Sequence, residues 1–208
     1  MQSNVLGVVL DQRLTFDKYA TSVAKSCNYH AQAIRHIRHL LTLELAHTLA
    51  CSLILSRIDY CNALLHGAPT DTIQKLQRVQ NKAARIVLQA SRRSNAKPLL
   101  RRLHWLPVEQ RITYKLAVVT YKVRCTETPG YLSRHLQTRD CARNLRSSDT
   151  PLLAQPSIRT DFAGWAFRYS APAVLNSLPR TVLESTLLTV FKSRLKTHLF
   201  HLAHNNGQ

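Results

Sequence analysis

Residues 70–87, TDTIQKLQRVQNKAARIV, decide the fold class of this 208-residue chain. Apolar side chains recur along this stretch at intervals of three and four residues, which is the period of an amphipathic α-helix. A Gly-Ala-Pro sequence at 67–69 precedes it, and Thr70 or Asp71 can cap its first turn. We therefore predict a helix with one buried stripe, formed by Ile73, Leu76, Val79, Ala83 and Ile86 or Val87.

Helical spacing continues on both sides of this stretch. One predicted helix runs from about Asp17 to Leu41, and a second starts after the N-cap Thr42. Pro107 stands where the first turn of a further helix tolerates proline, and the last predicted helix runs from about Ser185 to Leu202. The sequence thus predicts a mainly α-helical bundle with a less regular C-terminal region. The first two helices are expected to bury Val23, Cys27, Ile34, Ile37 and Leu41, then Leu45, Leu49, Leu53 and Ile54.

A short run at Val5–Leu10 departs from the helical pattern. Its β-branched residues predict one N-terminal strand, followed by a turn at residues 11–13. A single strand leaves its backbone polar groups without partners, and no second strand is evident in the sequence. We therefore expect the partners of this strand to lie outside the chain.

Positive charge is the strongest compositional signal. The chain has 29 Lys and Arg residues against 11 Asp and Glu, a formal net charge of +18. Between Thr72 and Thr126 lie thirteen of these cations and one acid, Glu109. Because such a field attracts polyanions, nucleic-acid phosphates are the expected partner. The predicted phosphate contacts are Lys75, Arg78, Lys82, Arg85, Arg92, Arg93, Lys97, Arg101, Arg102, Arg111 and Lys115.

The charge leaves other interpretations open. A basic face can be solvated and bind nothing specific, or it can contact an anionic membrane surface, although we predict no membrane partner. Neither a signal peptide nor a membrane span is evident, so the expected location is intracellular, in the nucleus or the cytoplasm. Trp105, Tyr114 and Tyr121 lie among the cations and could stack on bases. For Tyr114 and Tyr121, helical spacing is more typical of core or rim residues.

The residues that carry catalysis are not grouped in the sequence. The seven aspartates are scattered, whereas Mg²⁺-dependent nucleotide chemistry needs converging carboxylates. The five cysteines are too widely spaced for a local zinc half-site, which favours reduced thiols over a disulfide or metal framework. Histidines at 30, 36 and 39 and at 198, 201 and 204 could bind metal, but partly exposed basic helices explain them equally well. We predict no catalytic site, metal or cofactor.

Several short strings, taken in order and spacing, resemble one protein family. They are LGVVLD at 6–11, SRIDYCN at 56–62, LQRVQNKAARI at 76–86, LHWLPV at 103–108 and FKSRLKTHLF at 191–200. The ordered set resembles the C-terminal part of the reverse transcriptase polyprotein of non-long-terminal-repeat retrotransposons, of the chicken-repeat and jockey type. The resemblance extends over nearly the whole chain.

This resemblance implies a non-catalytic fragment of an RNA-directed DNA polymerase. The palm aspartates and the endonuclease of such polyproteins would lie upstream, so the chain is not expected to be an enzyme by itself. Residues 1–13 would be a remnant of the last palm strand, and 127–208 a C-terminal region with a loop and a terminal helix. Residues 14–126 would form a basic, helical, thumb-like domain that holds the RNA or DNA backbone of a template–primer without sequence preference. The missing palm and fingers, or another protein chain, are further expected partners.

Two alternatives belong to other functional classes. The chain could be a helical protein–protein interaction module, whose lone strand and apolar stripes dock a partner chain. It could also be a translated remnant with no selected function. An association that depends on protein concentration would favour the interaction module.

Overall fold

The computed structural model describes residues 3–11, 14–139, 152–157, 160 and 164–205. The chain divides into two compact units, residues 1–112 with 200–208, and residues 113–199. The domain limits expected from the sequence, after residues 13 and 126, stay predictions. The predicted mainly helical fold class is confirmed. The elements are β1 Ser3–Val5, β2 Val8–Leu10, α1 Asp17–Ile37, α2 Leu43–Ala50, α3 Ser56–Asp59, α4 Thr70–Val87, α5 Ala96–Arg102, α6 Val108–Thr126, α7 Gly130–Ser133, α8 Phe167–Asn176, α9 Arg180–Leu183 and α10 Leu188–Asn205.

The N-terminal run is a hairpin, so the prediction of one strand over Val5–Leu10 was wrong. Strands β1 and β2 pair antiparallel, and Val5 lies opposite Val8. The chain reverses at Leu6 and Gly7, which both have positive φ, at 49° and 79°. Two positive φ values in succession are the geometry of a type I′ turn, which matches the twist of a hairpin. The strand therefore finds its partner three residues further along its own chain.

The helix ends agree with the sequence at one predicted cap and differ at the other. The Thr42 hydroxyl accepts a hydrogen bond from the backbone N–H of Leu45 at 3.3 Å, as expected of an N-cap. Neither Thr70 nor Asp71 caps α4, because Pro69 takes the N-cap position without a side-chain hydrogen bond. Asp71 lies instead in the first turn, where its negative charge favours the positive end of the helix dipole.

The buried side of the second helix differs from the predicted stripe. Helix α2 continues through a π-helical turn, Cys51–Leu55, into α3. A π-turn adds a residue, which shifts the face that points to the core. Ile54 and Leu55, which lie in this turn, are both buried. In α2 itself the buried residues are Ala46 and Ala50, whereas the predicted Leu45 is 55% exposed. In α1 the prediction failed for Ile37, which is 43% exposed.

Helices α1 and α4 lie side by side and run in the same direction. Three contacts occur in the same order along both helices. The Lys75 ammonium bonds to the Asp17 carboxylate near the start, and Lys82 bonds to Asn28 further along. Near the end, Arg38 donates to the backbone carbonyl of Val87. The predicted stripe of α4 lies in the core shared with α1, with Leu76, Val79, Ala83, Ile86 and Val87 buried and Ile73 partly buried.

Two glutamines of α4 fix the start of α6. The Gln77 side-chain oxygen accepts a hydrogen bond from the Val108 N–H at 2.8 Å, and the fully buried Gln80 amide donates to the Leu106 carbonyl at 2.8 Å. These bonds satisfy backbone groups that would otherwise be buried without partners. Between α4 and α6 lies the short α5. Asn95 caps this helix by accepting from the Lys97 N–H.

The second unit, residues 113–199, has its own core. Tyr121 stacks on Phe191 with ring centroids 4.0 Å apart, and both rings are buried. Leu153 is buried and forms a β-bridge with Thr138, while the Asn176 amide bonds to both backbone groups of Leu153. Pro172 lies inside α8. Within the described part of the chain, no helix is both long enough and apolar enough to cross a membrane.

The buried imidazole of His204 makes the first unit sensitive to acid. His204 is 8% exposed, and neither ring nitrogen has a hydrogen-bond partner among the described residues. Burial lowers the pKa of His204. The Trp105 backbone raises this pKa in part, and the Arg101 and Lys97 charges lower it further. Below about pH 6.5 the histidine is protonated in the unfolded chain but stays neutral in the folded chain. The free energy of unfolding is therefore expected to fall as the pH drops below this value.

Urea unfolding between pH 7.5 and 5 checks this expectation. In His204→Gln the free energy of unfolding should fall less between pH 7.5 and 5 than in the parent protein, since glutamine does not titrate. His36→Gln changes an exposed histidine of α1 and should leave the pH dependence as in the parent protein. Equal acid sensitivity of the parent and His204→Gln would contradict the assignment.

Candidate nucleic-acid interface

Helix α4 separates its apolar and basic faces as the sequence predicts. Leu76 and Val79 are buried, while Arg78 is exposed and Lys82 and Arg85 are partly exposed. The three cations follow one another at i, i+4 and i+7, which keeps them on one side of a helix. None of the three forms an ion pair within the described residues. This side of α4 therefore presents positive charge that no neighbouring carboxylate neutralises.

A cleft of about 460 Å³ opens beside this face and collects cations from three segments. Helix α1 contributes Arg35 and Gln32, α4 contributes Lys82 and Arg85, and the loop after α4 contributes Arg92. Among the residues that the structure describes, no carboxylate lines the cleft. Because like charges at short range repel one another, an anion bound in the cleft would lower this repulsion. We call these five residues the basic cleft.

Two of the cleft cations are held by neutral acceptors. The Lys82 ammonium donates to the Asn28 side-chain oxygen at 3.0 Å, and Arg85 Nε donates to the Ser94 carbonyl at 2.9 Å. Each bond uses one donor, so the ammonium keeps two protons and the guanidinium keeps its outer nitrogens for a ligand. Neutral acceptors also leave both positive charges in place.

The pKa of Lys82 reflects the crowding of positive charge. Burial lowers this pKa, and the nearby Arg35 and Arg92 charges lower it further. A positive neighbour disfavours the charged ammonium, whereas an anion in the cleft would favour it. An anionic ligand is therefore expected to raise the pKa of Lys82.

Arg38 holds α1 and α4 together next to the basic cleft. Its Nε and one terminal nitrogen donate to the carbonyl of Val87 at 3.0 and 2.7 Å, and Nε also reaches the carbonyl of Ile86 at 3.2 Å. Its other terminal nitrogen donates to the carbonyl of Leu41 at 2.8 Å. The carbonyls at the end of a helix lack partners within the helix and carry partial negative charge. Arg38 is thus a structural cation that fixes the position of Arg35, one turn earlier on α1.

Two predicted contact residues are already paired with carboxylates. Lys75 forms an ion pair with Asp17. Arg111 makes a two-pronged pair with Asp59, and its side chain is only 17% exposed. Pairing of this kind neutralises charge and orients the guanidinium toward the protein. The available cations are therefore fewer than the sequence suggested.

The remaining predicted contacts are exposed on three segments. Arg92 and Arg93 lie in the loop after α4, and Lys97, Arg101 and Arg102 lie on α5. Lys115 is exposed on α6 and belongs to the second unit. None of these six side chains forms an ion pair among the residues that the structure describes. The structure brings Lys82, Arg85 and Arg92 together in the basic cleft, and leaves the others as surface cations.

The aromatic residues considered for base stacking have structural roles. Trp105 is 4% exposed, and its indole N–H donates to His47 Nε2 at 3.0 Å. Tyr121 is buried against Phe191, and its hydroxyl donates to the Ser185 carbonyl. Tyr114 is half-buried, and burial raises its pKa. For Tyr121 the core interpretation is therefore correct, and Trp105, which was considered only for stacking, is also a core residue.

The cysteines and histidines, which could have held a metal ion, are dispersed in the fold. Cys27, Cys61 and Cys125 are free thiols, the Cys51 sulfur lies 3.8 Å from His47 Nε2, and Cys141 lies outside the described residues. Burial raises the pKa of the Cys27 thiol to about 11, so it is a poor nucleophile. Across the described ranges, no three His, Cys, Asp or Glu side chains are close enough to share a metal ion.

Two residues of the basic cleft, Gln32 and Arg35, were not predicted from the sequence. Both lie on α1, outside the basic stretch that was counted between residues 72 and 126. Helical spacing predicts α1 itself, but nothing in one sequence states that α1 packs beside α4. The signal that could have found Arg35 is therefore tertiary, not local.

Comparisons with known proteins found no relative of this chain. No family model, no curated protein and no solved structure matches it. Its function is consequently inferred from the residues and their geometry.

Proposed function

We propose that this chain binds the sugar–phosphate backbone of RNA or DNA without reading the base sequence. The observation that carries the proposal is the basic cleft, where four cations meet and no carboxylate of the described residues lines the space. Further exposed cations are Arg78 on α4, Arg93 in the following loop, and Lys97, Arg101 and Arg102 on α5. Phosphates relieve the repulsion among such cations and release their own counterions into solution.

The mechanism requires each cation to position the strand and none to identify a base. Guanidinium groups grip phosphate oxygens through paired N–H donors, and the Lys82 ammonium acts as a point charge. Contacts of this type fix the register of a strand but carry no sequence information. Because Trp105 and Tyr121 are buried, base stacking makes no part of the proposal.

We further propose that this activity corresponds to the template–primer grip of a retrotransposon reverse transcriptase thumb. The support is the ordered set of strings that resemble that family, of which the string at 76–86 lies on α4. The chain would then act as a non-catalytic backbone-binding piece. Binding measured with RNA and DNA strands of one sequence decides which of the two it prefers.

A salt series tests the proposed function. The affinity of the full chain for a fluorescent single-stranded oligonucleotide should fall linearly with the logarithm of salt concentration, equally for unrelated sequences. Replacing Arg78, Lys82 and Arg85 together with alanine should weaken binding for every sequence. The slope of the salt series should also flatten by about 2, since each lost contact to a single strand contributes about 0.7.

The matched control removes three other cations. Arg57→Ala, Lys122→Ala and Arg134→Ala combined change the net charge equally, and all three side chains are exposed outside the basic cleft. This control should keep most of the slope. Unchanged affinity in the first triple variant, or no binding by folded parent protein, would refute the proposed function.

A second candidate function is a protein–protein interaction module. Four apolar residues at the corner between α1 and α2 support it, since Ile37, Leu40, Leu43 and Leu45 are 43–74% exposed. The lone strand no longer supports this candidate, because the hairpin pairs it within the chain. A mass that rises with concentration in light scattering, and returns to that of a monomer in Leu40→Asp, would favour it.

A further inference from the structure

The basic cleft differs from a surface that follows a polymer. Along a nucleic-acid strand the phosphates follow one another at intervals, and each internal phosphodiester carries one negative charge. In the basic cleft the cations converge from α1, α4 and the following loop on one concave space of about 460 Å³. Convergence of several cations suits one highly charged group better than a line of singly charged groups.

The donors of the basic cleft are suited to terminal phosphate oxygens. Arg85 is oriented by its bond to the Ser94 carbonyl, and Lys82 by its bond to the Asn28 side chain. Arg35 and Arg92 make no hydrogen bond or ion pair through their side chains among the described residues, so their guanidinium groups are available. Gln32 adds an uncharged amide that can donate beside them.

Charge distinguishes the two kinds of phosphate. A phosphate monoester has three terminal oxygens and a charge of about −1.5 to −2 at pH 7, against −1 for a phosphodiester. Lys82 already bears the repulsion of Arg35 and Arg92. A dianion compensates more of that repulsion, and three oxygens accept from more of the donors.

We propose that the basic cleft binds a phosphate monoester, and that the end of a nucleic-acid strand supplies it. This inference rests on the proposed function and refines it. The other exposed cations would hold the adjoining backbone, while the basic cleft selects the strand end. The size of the cleft falls in the range of small-ligand sites, so a terminal nucleotide with its phosphate is a suitable occupant.

The experiment compares oligonucleotides that differ only at one end. Twelve-residue single strands of one sequence, with a 5′-phosphate, a 3′-phosphate or hydroxyls at both ends, are titrated with the full chain at one salt concentration. We expect a terminal phosphate to tighten binding about tenfold, the equivalent of about 1.4 kcal/mol. The Arg35→Ala, Arg92→Ala double variant should lose this preference and still bind the hydroxyl-ended strand through the remaining cations.

A control variant and two different outcomes distinguish failure of this inference from failure of the proposed function. Arg57→Ala, Arg134→Ala removes two exposed arginines outside the basic cleft and should keep the preference. Equal affinity for hydroxyl and phosphate ends would overturn this inference and leave the proposed function standing. A folded protein that binds a nucleoside monophosphate but no oligonucleotide would overturn both the strand-end source and the proposed function.

Discussion

Charge reversal of Arg35 and Arg92 to glutamate should weaken oligonucleotide binding by about 100-fold or more at low salt. Both residues line the basic cleft, and both act on the charge state of Lys82. Each reversal removes an attraction to phosphate and introduces a repulsion, and like charges placed across an interface cost several kcal/mol. Fluorescence anisotropy with one labelled strand, at 50 and 200 mM salt, measures the effect.

The matched control reverses two arginines elsewhere. Arg57→Glu with Arg134→Glu changes the net charge by the same amount, and neither side chain lines the basic cleft. We expect the affinity of the control for the oligonucleotide to fall by no more than about tenfold, because distant charges are screened and contribute less than direct contacts. Similar losses in the two double variants would mean that net charge, and not the basic cleft, governs binding.

The second large effect is expected from Arg38→Ala. The substitution removes a guanidinium that donates to the carbonyls of Val87, Ile86 and Leu41. Hydrogen bonds from charged groups contribute about 1.5–3 kcal/mol each, and carbonyls left without partners add a desolvation cost. Because the site is partly exposed, we expect the free energy of unfolding to fall by about 2–4 kcal/mol in urea titrations.

Two further variants make this prediction specific. Arg38→Lys keeps the charge, but an ammonium group lacks the separate nitrogens with which the guanidinium donates to carbonyls on both sides. It should therefore recover only part of the lost free energy of unfolding. His39→Ala alters the neighbouring exposed residue of the same turn and should change stability by less than about 0.5 kcal/mol. If Arg38→Ala were as mild as His39→Ala, the clamp between α1 and α4 would have no energetic importance.

The helices could be predicted from local sequence patterns, namely the spacing of apolar residues and the capping residues. The apolar stripe of residues 70–87 and the cap at Thr42 were both correct, because they depend on neighbours three or four positions away. The N-terminal strand failed for a local reason that was overlooked, since Leu6 and Gly7 are the two residues of a tight turn. Leu45 failed because α2 buries the adjacent stripe of Ala46 and Ala50, and helical periodicity alone does not state which of two neighbouring apolar stripes faces the core.

The candidate site was only half predictable. Arg78, Lys82 and Arg85 follow from helical spacing, since one face of α4 must be polar if the other is buried. Charge counting placed Lys75 and Arg111 in the same group, but their partners Asp17 and Asp59 are more than 50 residues away in sequence. Long-range pairing of this kind leaves no local trace in one sequence.

The sequence by itself determined the helical fold class, the basic face of α4 and the expectation of an anionic partner. These follow from periodicity and net charge, which are sums over neighbouring residues. Only the tertiary structure decided which cations are available and where they converge. The parallel packing of α1 on α4 places Arg35 beside Lys82 and Arg85 and uses Arg38 as a clamp, because the closeness of residues about 50 positions apart is set by packing and not by spacing along the chain.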